Sequence, residues 1–283
     1  MDLRDLVLKA HAPNAAGRIT GATFILQSVG GIGPPSGERL QAIGTVDAVC
    51  PYCRATLKKK PESKTKCRTC GNFIYVRTRP LDNQRISVTE DQIELIAEQW
   101  AIHNGTHAEF LAAQHTRDDE RTRLAHALGR EPSRDELKLS LLNNDLADYA
   151  ANGDWGLYRC ARLEMGNILR KASNWQAALA TYLEVCYLDL NGPNNLGGCR
   201  DPELIRECPP FSPKAVGDGW VNTAVEVSVI ANNGGFDLQQ VENLFYPMAQ
   251  QEHKKLGLPI SPYVAWATIK TELVKIETEC SSE

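Results

Sequence analysis

The sequence predicts a mainly helical protein with a small β module near its N-terminus. Three observations lead there. Cys50-Pro51-Tyr52-Cys53 and Cys67-Arg68-Thr69-Cys70 form two matched C-x-x-C pairs with thirteen residues between them. Short β-prone runs flank the pairs. From residue 81 onward, apolar residues recur at helical spacing behind helix-capping residues. The expected organisation is a poorly readable N-terminal segment over 1–41, a metal-stapled module over 42–80 and a helical domain over 81–283.

The metal reading comes from geometry. Each C-x-x-C turn points two sulfurs at one centre, and two facing turns supply four thiolates at about 2.3 Å from a zinc ion. Residues 42–49 are apolar and partly β-branched, which predicts a strand entering the first turn. Gly71 follows Cys70, where the backbone needs a positive φ. Phe73-Ile74-Tyr75-Val76-Arg77-Thr78 predicts a second strand, stopped by Pro80. This layout of strand, knuckle, hairpin, knuckle and strand resembles the zinc ribbon over about residues 42–79. The resemblance implies that Cys50, Cys53, Cys67 and Cys70 hold structural Zn2+. Four cysteines close the shell, whereas a catalytic zinc keeps an open position. The metal then folds about forty residues, too few to hold a core of their own.

Two rival uses of these cysteines are weaker. Cys-Pro-Tyr-Cys is also the redox motif of glutaredoxins, where the first cysteine opens a helix. Here the chain runs on into Lys58-Lys59-Lys60-Pro61, a poor first helix, and the second pair goes unexplained. Disulfides are disfavoured because Met1-Asp2-Leu3-Arg4-Asp5 does not begin a signal peptide, so a reducing, cytoplasmic setting is expected. Cys160, Cys186, Cys199, Cys208 and Cys280 show no pairing pattern. Cys160 and Cys186 fall on apolar helix faces and read as small buried hydrophobes.

Composition bounds the partners. The chain has 283 residues, 42% of them hydrophobic, which is ordinary for a globular protein. No apolar run approaches the ~20 residues that span a bilayer, so no membrane partner is expected. A net charge of −4 argues against nucleic-acid binding by the whole surface. The charge is uneven, however. Arg54, Lys58, Lys59, Lys60, Lys64, Lys66, Arg68, Arg77 and Arg79 crowd one short segment against a single acid, Glu62. These nine are the candidate nucleic-acid contacts, with Tyr52, Phe73 or Tyr75 available to stack on bases. The same lysines also suit a solvated turn that keeps a small module soluble, and the sequence leaves both readings open.

Before the module, a short helix is expected over 2–10, a strand over 22–26 and a glycine-rich loop over 30–37. That loop lacks the Gly-Lys-Ser/Thr ending of a phosphate-binding loop. After the module, 80–88 reads as a connection. Thr89 and Gln92 predict a capping box for a helix carrying Ile93, Ile96, Ala97 and Trp100. Ser133 and Glu136 predict another, ahead of Leu137, Leu139, Leu141 and Leu142. The run 124–133 resembles a helix-turn-helix phrase of sigma-factor domains, and equally reads as a helix end punctuated by Gly129 and Pro132. Met165-Gly166, Leu169, Trp175, Ala178, Tyr182 and Val185 recur at the offsets of a tetratricopeptide repeat, which residues 162–190 resemble as a single hairpin. Gly166 and Ala178 are small where two antiparallel helices would cross, and Ser173-Asn174 would make the turn. Leu190 stands where that repeat often ends in proline, and no second clean copy follows. Further helices are expected over 135–152, 217–232, 237–253 and 264–276, with a long loop over 191–213.

No catalytic constellation stands out. His103 and His107 are spaced four apart, but Gly105 lies between them and no H-E-x-x-H completes a site. Glu120, Glu131, Asp135 and Glu136 read as solvent-facing charges, and Trp155 and Trp220 fit either a core or an exposed anchor. The expectation is a non-enzymatic zinc-binding adaptor: a helical, tetratricopeptide-like body holds a protein partner, and the basic ribbon contacts nucleic acid or a second protein. The alternatives are an accessory subunit of a nucleic-acid-processing enzyme and a structural component of a phage or other assembly. Cys70-Gly71 followed by Ile74 to Pro80 resembles uncharacterised bacterial and phage-borne zinc-ribbon proteins, which implies a setting and no function.

Overall fold

Three antiparallel strands and nine helices make up the described residues, 40–213 and 219–280, of the computed structural model. The expectations for 2–10, 22–26 and 30–37 lie outside those residues. Two compact units divide between Asp119 and Glu120.

The first unit is built on a sheet in the order β1 (Thr65–Lys66), β2 (Phe73–Thr78), β3 (Arg85–Val88). Residues 42–49 do not form the expected strand. They make only two isolated bridges, Thr45 with Ser87 and Val49 with Thr56. Gly44 interrupts the run at φ +77°, and a Cβ there would lie 2.8 Å from both Ile86 Cδ1 and Val88 Cγ1. The segment read as a connection instead contains β3, entered through Asn83 at φ 56°. The Asn83 N–H donates to the Arg79 carbonyl and the Arg79 N–H to the Gln84 carbonyl, both at 2.9 Å.

Helix α1 (Gln92–Asn104) packs Ile96 against Ile86 and Val88, while Ala97 is exposed. Its capping box is half formed. The Thr89 N–H donates to Gln92 Oε1 at 3.2 Å, but the buried Thr89 hydroxyl has no partner. Gly105, left-handed at φ 74°, ends α1, and α2 (His107–Leu128) follows. His103 and His107 therefore sit on different helices. His107 pairs with Glu98 at 3.0 Å, and His103 meets the Trp100 ring edge-on.

Among the described residues of the second unit, the regular elements are all helices. α3 (Arg134–Asn152), α4 (Trp155–Lys171), α5 (Trp175–Asn191), α7 (Gly219–Gly234), α8 (Leu238–Leu256) and α9 (Pro262–Cys280) share one apolar core. The long loop after α5 contains a short helix, α6 (Pro202–Glu207). Both capping interactions expected at Ser133 and Glu136 are present. The α4–α5 hairpin turns at Ser173, φ 55°, and Gly166 lies against Tyr182: a Cβ there would come 2.8 Å from the Tyr182 ring.

α5 is buried on every side, from Ala178 and Leu179 through Leu188 and Asn191. A helix apolar all round belongs in the middle of a bundle. Its polar groups are matched one by one. Arg159 grips Asp189 with two bonds of 2.6 and 2.7 Å, and Arg162 pairs with Glu184. The Tyr182 hydroxyl donates to Asn167 Oδ1, the Tyr187 hydroxyl to the Ile260 carbonyl, and Asn191 Oδ1 accepts from the Ile260 N–H, each at 2.8 Å. Matching of this kind is what a buried polar group requires.

Three expectations change here, and the open reading of the two tryptophans is resolved. Glu120 and Glu136 are buried rather than solvent-facing, because Arg123 and Arg130 each reach in with two bonds to neutralise them. The Arg130 guanidinium holds the Glu136 carboxyl down to about 2. Cys186 is buried as expected, but Cys160 is exposed on α4. Trp155 is partly buried, stacked on Phe211 at 5.5 Å, and Trp220 packs partly buried against the core.

Two outcomes follow for this unit. Gly166→Ala should destabilise it by about 1–3 kcal/mol in chemical denaturation, since the added methyl overpacks against Tyr182. Glu252 on α8 is buried, one of its oxygens has no partner, and burial with the Glu184 charge raises its pKa. A raised folded pKa gives stability that is present below the unfolded value of ~4.3 and is lost as pH rises through the folded value. Glu252→Gln should therefore be more stable than the parent at neutral pH. The difference should vanish below about pH 4, as read from denaturation midpoints across pH.

Candidate metal centre

The two C-x-x-C turns fold alike, although their sequences share little else. In the first, the Cys50 N–H donates to the Ala55 carbonyl at 2.9 Å and the Arg54 N–H to the Cys50 carbonyl at 2.9 Å. In the second, the Cys67 N–H donates to the Asn72 carbonyl at 2.8 Å and the Gly71 N–H to the Cys67 carbonyl at 2.9 Å. The residue after each second cysteine is left-handed: Gly71 at φ 76°, and Arg54 at φ 62°. Glycine reaches that conformation freely. Arginine is held there by the same pair of hydrogen bonds.

These turns bring four sulfurs to one point. Cys50 Sγ lies 3.7 Å from Cys70 Sγ, and Cys53 Sγ lies 3.9 Å from Cys67 Sγ. All four ligand atoms lie within 4.8 Å of one another. A tetrahedron with ~2.3 Å metal–sulfur bonds has sulfur–sulfur edges of about 3.8 Å, so the cluster matches one bound ion. The separations are far from the ~2.05 Å of a disulfide, and all four thiols are free. Cys50 and Cys67 are buried with Ile74 of β2, while Cys53 is exposed.

Backbone dipoles suit the Cys67 sulfur to thiolate. The N–H groups of Cys70 and Thr69 point at the Cys67 sulfur and push its thiol down to about 6. The Asn72 N–H acts the same way on Cys70, but burial and the neighbouring thiols overcome it and raise Cys70 to about 11. One sulfur is thus ready as a thiolate at neutral pH. Another gives up its proton only to a metal, as thiol ligands generally must.

The nine basic residues do not behave alike. Arg54, Lys58, Lys59, Lys60, Lys64, Lys66, Arg68 and Arg77 are exposed. Arg79 is only 9% exposed. Its guanidinium clamps Asp82 at 3.0 and 2.6 Å and donates to the Ile43 carbonyl at 3.1 Å, which makes it part of the module's frame. Sequence reasoning passed over Arg85, exposed on β3, whose guanidinium donates to the Glu62 carbonyl. The alternation in Arg85-Ile86-Ser87-Val88 was the available signal. Tyr52 is engaged too: its ring packs on the cysteine cluster and its hydroxyl accepts from the Glu90 N–H at 2.8 Å. Cys199 and Cys208 join no group of metal ligands among the described residues.

Comparison with protein-family models, curated proteins and solved structures finds no match for this chain. What the centre does must be argued from its own chemistry.

The chain should carry one thiophilic metal ion per molecule. Serine at any of Cys50, Cys53, Cys67 or Cys70 should abolish stoichiometric binding, while Cys199→Ser and Cys208→Ser should leave it intact. Protons compete for the sulfurs, so affinity should fall as pH is lowered, by about tenfold per pH unit for each sulfur protonated in the free chain, and more steeply below the Cys67 value of about 6. Metal release to a chromophoric chelator at stepped pH reads both effects.

Proposed function

We propose that this protein is a non-enzymatic adaptor whose zinc-stapled ribbon binds the phosphate backbone of nucleic acid and whose helical body holds a protein partner. The observation that carries the proposal is the placement of charge. Eight exposed lysines and arginines surround a four-cysteine cluster that fixes the backbone beneath them. Zinc is the metal of choice for four thiolates in a tetrahedron. Its shell is then full, so the ion offers no position to a substrate and its role is structural.

Cations on a rigid hairpin gain from nucleic acid chiefly by releasing its condensed counterions. The acidic remainder of the chain repels a polyanion, so binding is confined to this module. The helical body supports the adaptor role in another way. Helical hairpins such as the tetratricopeptide-like α4–α5 pair belong to a class of stacked structures that bind peptide segments in grooves. None of the described helices is long and apolar enough to cross a membrane.

Binding of a short mixed-sequence oligonucleotide to the zinc-loaded chain should weaken steeply with salt. For about five phosphate contacts the loss is roughly a hundredfold between ~50 and ~200 mM. Alanine at Lys58, Lys59 and Lys60 together should lower the slope by about two without sequence bias. A flat salt response would overturn the proposal.

A further inference from the structure

Strand alternation gives the ribbon two unlike faces. Ile74 of β2 turns inward and is fully buried with Cys50 and Cys67. Phe73, Tyr75 and Arg77, two residues apart, must then share the opposite face. Cross-strand pairing sets Lys66 beside Phe73 on that face. The Lys64 ammonium lies 4.5 Å from the centre of the Phe73 ring and 4.8 Å from that of Tyr75, and the Lys66 ammonium 5.9 Å from that of Phe73. Phe73 is 47% exposed. Tyr75 is more covered, because it leans on Ile86, Val88 and Ile96.

The result is a half-exposed aromatic ring overlain by two ammonium groups, on a strand anchored from behind by the cysteine cluster. Lys64 lies over Phe73 and Tyr75 and Lys66 over Phe73, so the ammonium groups cover ring surface that a base would take and must swing outward to the phosphates as it stacks.

We infer that this face is a stacking platform for single-stranded nucleic acid, on which an unpaired base lies against Phe73 while Lys64 and Lys66 hold the flanking phosphates. The inference rests on the proposed nucleic-acid binding of the basic ribbon and adds the class of strand. In a duplex the base faces are already stacked on each other, so a duplex can use the lysines but not Phe73. A single strand uses both. Among the alternatives raised by the sequence, Tyr52 has its ring against the cysteine cluster and its hydroxyl bonded to the Glu90 N–H, so it does not stack. Every base has a π face, and the contacting groups are a phenyl ring and two ammonium groups. The platform should therefore bind with little sequence preference.

The test is fluorescence anisotropy of the full, zinc-loaded chain with a ~12-nucleotide mixed-sequence single strand and the duplex of the same sequence, the length chosen within the usual footprint of such platforms. Variants are Phe73→Leu, which keeps an apolar side chain without a π face, Phe73→Trp, and Lys58, Lys59 and Lys60 together to alanine. Zinc content is checked for each. The expected result is tighter binding of the single strand, a loss of about 5- to 150-fold for Phe73→Leu on the single strand alone, and retention by Phe73→Trp. The salt slope of Phe73→Leu should equal the parent's. If Phe73→Leu changes single-strand affinity by less than about twofold while the lysine variant weakens both substrates, the platform is refuted and backbone binding by the ribbon stands. If neither nucleic acid binds the parent, the nucleic-acid role of the ribbon fails, and the platform with it.

Discussion

Four sulfurs held at a common point are the constraint on which the N-terminal unit depends. As thiolates, sulfurs 3.7 to 3.9 Å apart would repel one another strongly, and a cation among them would make that state favourable. The unit has little else to hold it. Its two apolar clusters are small, one around Ile74 and the other around Ile86, Val88 and Ile96. Structural zinc in small modules contributes about 10–16 kcal/mol, far more than such clusters can. Everything on the ribbon's outer surface inherits its position from that centre, because Ile74 is fixed against Cys50 and Cys67 and its neighbours on β2 must face the other way.

The helical unit solves its problem differently. Its central helix α5 is buried on all sides, so it gains fully from apolar burial but carries polar groups into the core. Arg159, Arg162, Asn167 and the Ile260 backbone meet those groups one at a time. Removing one partner of such a pair leaves a buried charge or dipole, and that is dearer than the pair was worth. The same matching explains Glu120 and Glu136, acids that are buried because an arginine follows each to its site.

Much of this was legible in the sequence because it rests on local chemistry. The C-x-x-C spacing gave all four members of the cluster. Capping residues and apolar periodicity gave α1, α3, α4, α5, α7, α8 and α9 and the turn between α4 and α5, while of α2 only the end near Gly129 was read. What stayed hidden depends on contacts between distant residues. Residues 85–88 become a strand by pairing with β2, and residues 42–49 fail to become one because Gly44 bends away beneath Ile86 and Val88. Arg79 reads as one more cation until its partners Asp82 and Ile43 are seen. Arg54 takes a left-handed conformation that its residue type does not advertise. Periodicity alone could not show that Cys160 is exposed while Cys186 is buried, since both lie on helices with apolar stretches.

In the proposed function, the centre and the activity are linked through rigidity: the metal would hold the ribbon's backbone in place, and the exposed lysines, arginines and Phe73 would make the contacts. The most direct measurement of that claim is amide hydrogen exchange on the full chain, before and after zinc is removed with a strong chelator. The account predicts that chelation collapses protection in β2, β3 and the two knuckles while the core helices α4, α5, α7 and α8 keep theirs, and that re-adding zinc restores the pattern. Unchanged protection of β2 and the knuckles in the metal-free chain would contradict it.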